Sequence, residues 1–247
     1  MAVEQAASES TALEPALDAL RGACAAAGFD LLQPLQVGWY NAQVSGTLRL
    51  EDYGSPTRLA VVIGNTRALW PEFLAALRAE PALLSEPHPL YAYAEQRITR
   101  AAALIPARWC VRWSHAGGAQ LVAMQRLAHV AGLAYLSESQ LSVHARYGPW
   151  IGLRAALSVD LPGPPGPAPQ LAHPCGGCQG RCRPAFEHAI AAITGSPSGL
   201  EQAVRRDWQL WLACRDACPT GREFRYSDDQ IRYHYLKERN QLRQACL

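Results

Sequence analysis

The sequence predicts an α+β domain followed by a mainly helical, cysteine-containing extension, and three observations carry that reading. Arg58 to Gly64 (RLAVVIG) is an unbroken apolar run rich in β-branched residues, the pattern of a strand covered on both faces. Strand-like runs alternate with stretches of helical apolar spacing through residues 1–161, which form the core. Residues 162–247 then begin with PGPPGPAP, which can form neither helix nor interior strand and serves as a stiff connector to a helical segment. With 49% hydrophobic residues in a chain of 247, there is material for a sizeable buried core.

Taken in order, Thr11 and Glu14 form a capping box with Pro15 in the first turn. Leu13, Leu17, Leu20 and Cys24 then give a helix ending near Gly28. Leu35 to Tyr40 and Arg58 to Gly64 read as strands, with a helix starting at Thr66 and another over Pro89 to Leu104. Arg108 to Ser114 alternates like a half-buried strand, Ala119 to Leu136 has helical spacing, and Trp150 to Leu161 is a further strand. Helical stretches over 184–193, 199–213 and 227–244 complete the chain.

The formal charge of +2 sets up no long-range field and gives no reason to expect a nucleic-acid partner, although Lys237 is the only lysine among 23 basic residues. Across the whole chain this bias reads as genome composition; at individual positions, arginine forks suit bound anions. The N-terminal MAVEQAASES lacks a basic and apolar leader pattern, and no apolar run approaches a membrane span, so a cytoplasmic protein is expected. Eight cysteines in a reducing compartment argue for metal or redox chemistry. Cys24, Cys110 and Cys246 stand alone. Cys175 and Cys178 form C-x2-C, Cys214 and Cys218 form C-x3-C-P, and 35 residues separate the pairs. Looped together, the four make an iron-sulfur ligand set, with Cys182 outside it; an all-thiolate zinc and a bare redox dithiol using Cys178 or Cys182 are the alternatives. The glycine-rich nucleotide motifs, the G-x-S-x-G elbow and H-E-x-x-H are all missing from the sequence.

Three stretches, FDLLQPLQVGWYNAQV (29–44), QRLAHVAGLAYL (125–136) with RYGPWIGLRAALSVDLPG (146–163), and CRDACPTGREFRYSDDQ (214–230), resemble the methylmalonic aciduria and homocystinuria type C family of cobalamin-processing proteins. The resemblance implies a flavin-nitroreductase-like mixed sheet flanked by helices. It also implies a corrinoid held with its lower base detached, and reductive removal of the upper ligand, by decyanation or dealkylation. AGLAYLSESQL, GPWIGL and the cysteine pairs also resemble the corrinoid-binding half and ferredoxin motif of epoxyqueuosine reductases, which implies a [4Fe-4S] cluster.

On this resemblance Tyr40 and Asn41 contact flavin or corrin side chains, where the residues alone read as a turn. His129 lines the corrin pocket, where spacing alone gives a core histidine bonded to the backbone. Trp150 lies against the cobalt face, or else fills the core. Arg154, inside an apolar strand, needs an anion. An internal carboxylate, a thiol cosubstrate such as glutathione, or a corrin amide or phosphate supplies the partner, with Arg215 as second and Arg239 as third cation. Electrons come from that thiol, from FMN or from the cluster. Downstream cobalamin-dependent enzymes are the implied partners. A non-catalytic cobalamin carrier and a cobalamin- and [4Fe-4S]-dependent reductase are the alternative functions.

Overall fold

The structure, a computed structural model, describes residues 2–194 and 200–245, with side chains over 13–194, 202–240 and 242–244; Cys246 lies outside the described residues. A four-stranded sheet has the order β1 (Leu31–Gln36), β2 (Arg58–Asn65), β6 (Gly152–Pro162), β3 (Trp109–Trp113). Every pairing in it is antiparallel, so the α+β class is observed without the parallel ladder of a mixed sheet.

β2 explains its own composition. Leu59, Val61 and Ile63 enter one core with Phe29, Phe73 and Ile98, whereas Ala60 and Val62 enter a second with Tyr40, Leu127 and Ala156. Both faces are covered, so side chains of alternate direction are all apolar. The first face carries α1 (Ala2–Ala26), α3 (Leu69–Ala79) and α4 (Pro89–Ala102); the second carries α2 (Val37–Asn41) and α5 (Met124–Val130). A short hairpin of β4 (Tyr135–Leu136) and β5 (Ser142–Val143) follows α5. Beyond the connector come α6 (Cys182–Ile193), α7 (Leu200–Arg206), α8 (Trp208–Asp216), α9 (Asp228–Leu236) and α10 (Arg239–Ala245). This extension shares the first core, where the Tyr233 ring packs 5.7 Å from Trp70 and 6.1 Å from Phe73.

Several boundaries differ from the sequence reading. α1 begins before Thr11 and contains Pro15, so Thr11 does not cap it; the buried stripe of Leu13, Leu17 and Leu20 continues through the turn that lacks the proline N–H. β1 ends at Gln36, and the WYN segment turns into α2, where Gly38 donates to the Pro56 carbonyl at 2.7 Å and leaves no room for a Cβ. The helix expected over 119–136 is only α5, ended by Gly132 in the left-handed region (φ +82°), whose face is pressed against Pro169 of the connector. Asp207 divides the next helix into α7 and α8, and Lys237 (φ +57°) ends α9 before α10.

The extension meets the core through two interlocked glycines. Gly148 (φ +55°) sits so close to the Thr220 carbonyl that a Cβ would lie 1.9 Å from its oxygen. Gly221 (φ +70°) faces Tyr147 in the same way, at 2.3 Å from its carbonyl carbon.

Candidate functional site

Arg154 owes its position to a β-bulge. Ile63 pairs with Ala155 and Gly64 with Leu153, so Arg154 is the extra residue on β6 and its side chain is re-aimed out of the ladder. Its Nε donates to Asn65 Oδ1 at 2.7 Å, and Asn65, fully buried, spends its own amide on the Thr66 carbonyl at 2.7 Å. Gly152 makes the fold-back possible, since a Cβ there would stand 2.8 Å from Asn65 Oδ1 and 3.1 Å from an Arg154 terminal nitrogen. Among the described residues no carboxylate pairs with Arg154; burial is the first cause holding its pKa below the ordinary value.

A cavity of about 280 Å³ opens beside it, walled by Arg154, Arg215, His234, Lys237, Tyr91 and His115 among others. α8 brings Arg215, and the C-terminal end of α9 brings His234 and Lys237. Burial first, then the charges of Arg215, Lys237 and Arg154, hold His234 well below the usual histidine range, so its imidazole is neutral at physiological pH. Lys237 Nζ lies 5.3 Å from the Tyr91 ring centroid; Tyr91 in turn stacks on His115 at 4.1 Å, whose Nε2 is 2.8 Å from Glu95 Oε1. Ser142 Oγ, also on this wall, is buried without a hydrogen-bond partner among the described residues. Three cations and an orphaned hydroxyl around a small space suit an organic anion.

The other expected site residues sit elsewhere. Tyr40 is fully buried and its hydroxyl accepts from the Ala123 N–H at 3.1 Å. Asn41 closes a pair of bonds with the Leu50 backbone, at 2.9 Å to the carbonyl and 2.8 Å from the N–H. Both residues hold the loop after α2 and do not line the cavity. His129 Nδ1 accepts the Leu136 N–H at 3.2 Å, and its ring meets Tyr135 edge-on at 5.1 Å. Trp150 is 1% exposed and packs on Tyr226 and Ile231, with Arg215 at 6.0 Å and Arg225 at 5.6 Å from its ring. Arg239 donates to the Glu86 carbonyl at 2.8 Å, outside the cavity, where Lys237 stands as the third cation. Asn65, Tyr91, His115, His234 and Lys237 escaped the sequence reading; only Lys237, the single lysine of an arginine-rich chain, carried a visible signal.

The cysteines gather differently from the expected set. Cys175, Cys178, Cys182 and Cys218 line one cavity of about 250 Å³. Cys214 is buried behind it, its thiol donating to the Leu210 carbonyl at 3.3 Å and pushed up to about 11 chiefly by burial. Gly180 N–H donates to Cys178 Sγ at 3.2 Å, and a Cβ on Gly180 would stand 3.1 Å from both Cys178 Sγ and Pro219 Cδ, closer than ordinary contact. Burial raises the Cys175 and Cys218 thiols above their ordinary values. Among the described residues no three His, Cys, Asp or Glu side chains are placed to hold one metal ion.

No family model and no curated protein matches the chain. Solved structures do. The B12-trafficking protein CblC of C. elegans, described as a human MMACHC homologue, superposes with a TM-score of 0.70 over 96% of this chain and 97% of its own, at 16% identity. The epoxyqueuosine reductase from Streptococcus thermophilus gives 0.52 over 92% of this chain and 78% of its own, at 11% identity. An epoxyqueuosine reductase bound to a modified tRNA-Tyr stem loop gives 0.51 over 85% and 66%, at 12% identity. The chain therefore has the fold shared by the B12-trafficking CblC protein, nearly end to end, and by the matching part of the epoxyqueuosine reductases.

Proposed function

We propose that the chain binds cobalamin with its lower base detached and removes the upper axial ligand, using an organic thiol bound in the cationic cavity as reductant or alkyl acceptor. The observation that carries this is the re-aimed Arg154, which stands with Arg215 and Lys237 around a small cavity and meets no carboxylate among the described residues. It lies on a fold that matches a B12-trafficking protein along 96% of the chain.

Cobalamin, when bound, supplies a cobalt whose hold on its axial ligands depends on its oxidation state. The chain's own contribution is positional. Arg154 and Arg215 grip the carboxylates of a thiol such as glutathione, and Asn65 fixes Arg154 in that pose. Neutral His234 adds no positive charge, yet it gains proton affinity when an anion enters beside it. Flavin is the alternative electron source, and the cysteine set is a proposed metal-binding or redox group, read by iron, zinc and sulfide analysis after anaerobic purification.

The test is turnover. Incubated anaerobically with methylcobalamin and glutathione, the protein should yield a methylated thiol at a rate that saturates with glutathione. Stable binding of methylcobalamin with no ligand loss under thiol or reduced flavin would make the chain a carrier.

A further inference from the structure

The Arg154 cavity is walled by two histidines, and they differ in what their nitrogens do. His115 Nε2 lies 2.8 Å from Glu95 Oε1 and the ring stacks on Tyr91 at 4.1 Å, so this histidine is already engaged. His234 makes no hydrogen bond among the described residues; its ring meets Tyr235 edge-on at 5.0 Å. Opposed influences act on that free imidazole. Burial first, then Arg215 from α8, Lys237 just past α9 and Arg154 from β6, disfavour its protonation. Yet His234 stands in the last turn of α9, whose carbonyl end favours a cation. The other titratable groups on the wall are Tyr91 and the Glu95-paired His115. An organic anion lying on the three cations cancels their repulsion, and the helix end then favours the protonated ring.

We propose that His234 is the base that takes the proton of the thiol bound in this cavity, once the carboxylates of that thiol are seated on Arg154 and Arg215. The proposal rests on the thiol reading above and not on the corrinoid. In the step the S–H bond breaks, its electron pair stays on sulfur, and the proton goes to a ring nitrogen of His234. The charge inside the cavity does not change, because a neutral thiol and a neutral imidazole become a thiolate and an imidazolium. That pairing lowers the thiol pKa beyond what the fixed cations achieve. The base is thus switched on by the ligand: with the cavity empty, the same cations that will hold the carboxylates keep the imidazole from protonating.

The experiment uses the full chain without cobalamin, titrated at neutral pH with glutathione. Ophthalmate, in which a methyl group replaces the thiol, corrects for changes in binding itself. Ultraviolet difference absorbance counts the thiolate formed, and calorimetry in buffers of different ionisation heat counts the protons released. The expected result is a bound thiolate with no proton released to the buffer. In His234→Gln the thiolate fraction should fall about tenfold, a change of about one unit in the thiol pKa. Release of one proton for each thiolate formed, or an equal thiolate fraction in the variant, overturns the proposal, because the cations alone would then ionise the thiol. Glutathione that binds and stays protonated overturns it as well. If the spectrum of cyanocobalamin is unchanged by the protein while the thiolate still forms without proton release, the cobalamin reading fails and this one stands. If that spectrum shifts but glutathione does not bind, the corrinoid reading stands and this one fails. Should His234→Gln be unstable, the proton count on the unaltered protein and the variant His234→Asn decide between the same outcomes.

Discussion

Arg154→Gln should slow thiol-dependent dealkylation about ten- to a hundredfold while leaving corrin affinity nearly unchanged, the loss of a charge-assisted contact worth about 1.5–3 kcal/mol. Gln is the informative replacement because it retains an N–H group to offer Asn65 Oδ1, which otherwise stays buried and unpaired. Arg215→Gln should behave alike, with one further sign. Arg215 is the leading charge that lowers His234, so removing it raises the pKa of that imidazole and shifts the pH profile of turnover upward. Equal losses of thiol response and corrin affinity in both variants would contradict the assigned role.

Gly148→Ala is expected to destabilise the protein by about 3 kcal/mol or more, because it combines a positive φ with a steric conflict against backbone. Thr220 cannot give way easily, since Gly221 beside it is already pressed against Tyr147. Gly118→Ala provides the control: it shares a positive φ (+59°) but has nothing within 4 Å of the added Cβ. Denaturant titration of the two should separate backbone strain, of order 1 kcal/mol, from the interlock. Equal midpoints would show that the two turns are not held together as described.

The long elements were legible in the sequence, and the site was legible only in part. RLAVVIG announces a strand with two covered faces because burial on both sides leaves no polar position. The breaks at Gly132, Asp207 and Lys237 were not visible, because apolar spacing continues across each of them. Arg154 could be singled out as a charge inside an apolar strand, yet the bulge that turns it to Asn65 depends on pairing with β2, a partner 89 residues away. Tyr40 and Asn41 show the opposite limit: the WYN segment is distinctive, but its polar groups are spent on Ala123 and Leu50 and not on the cavity. Spacing placed Cys214 with Cys218, whereas one helical turn of α8 buries Cys214 toward Leu210 and leaves Cys182 at the thiol cavity.

The visible spectrum of cyanocobalamin titrated with the protein tests the central claim most directly. Loss of the lower nitrogen ligand moves the absorption to shorter wavelength, and the shift should saturate at one corrinoid per chain. A spectrum unchanged at saturating protein would contradict the reading of this fold and its cationic cavity as a cobalamin-processing site.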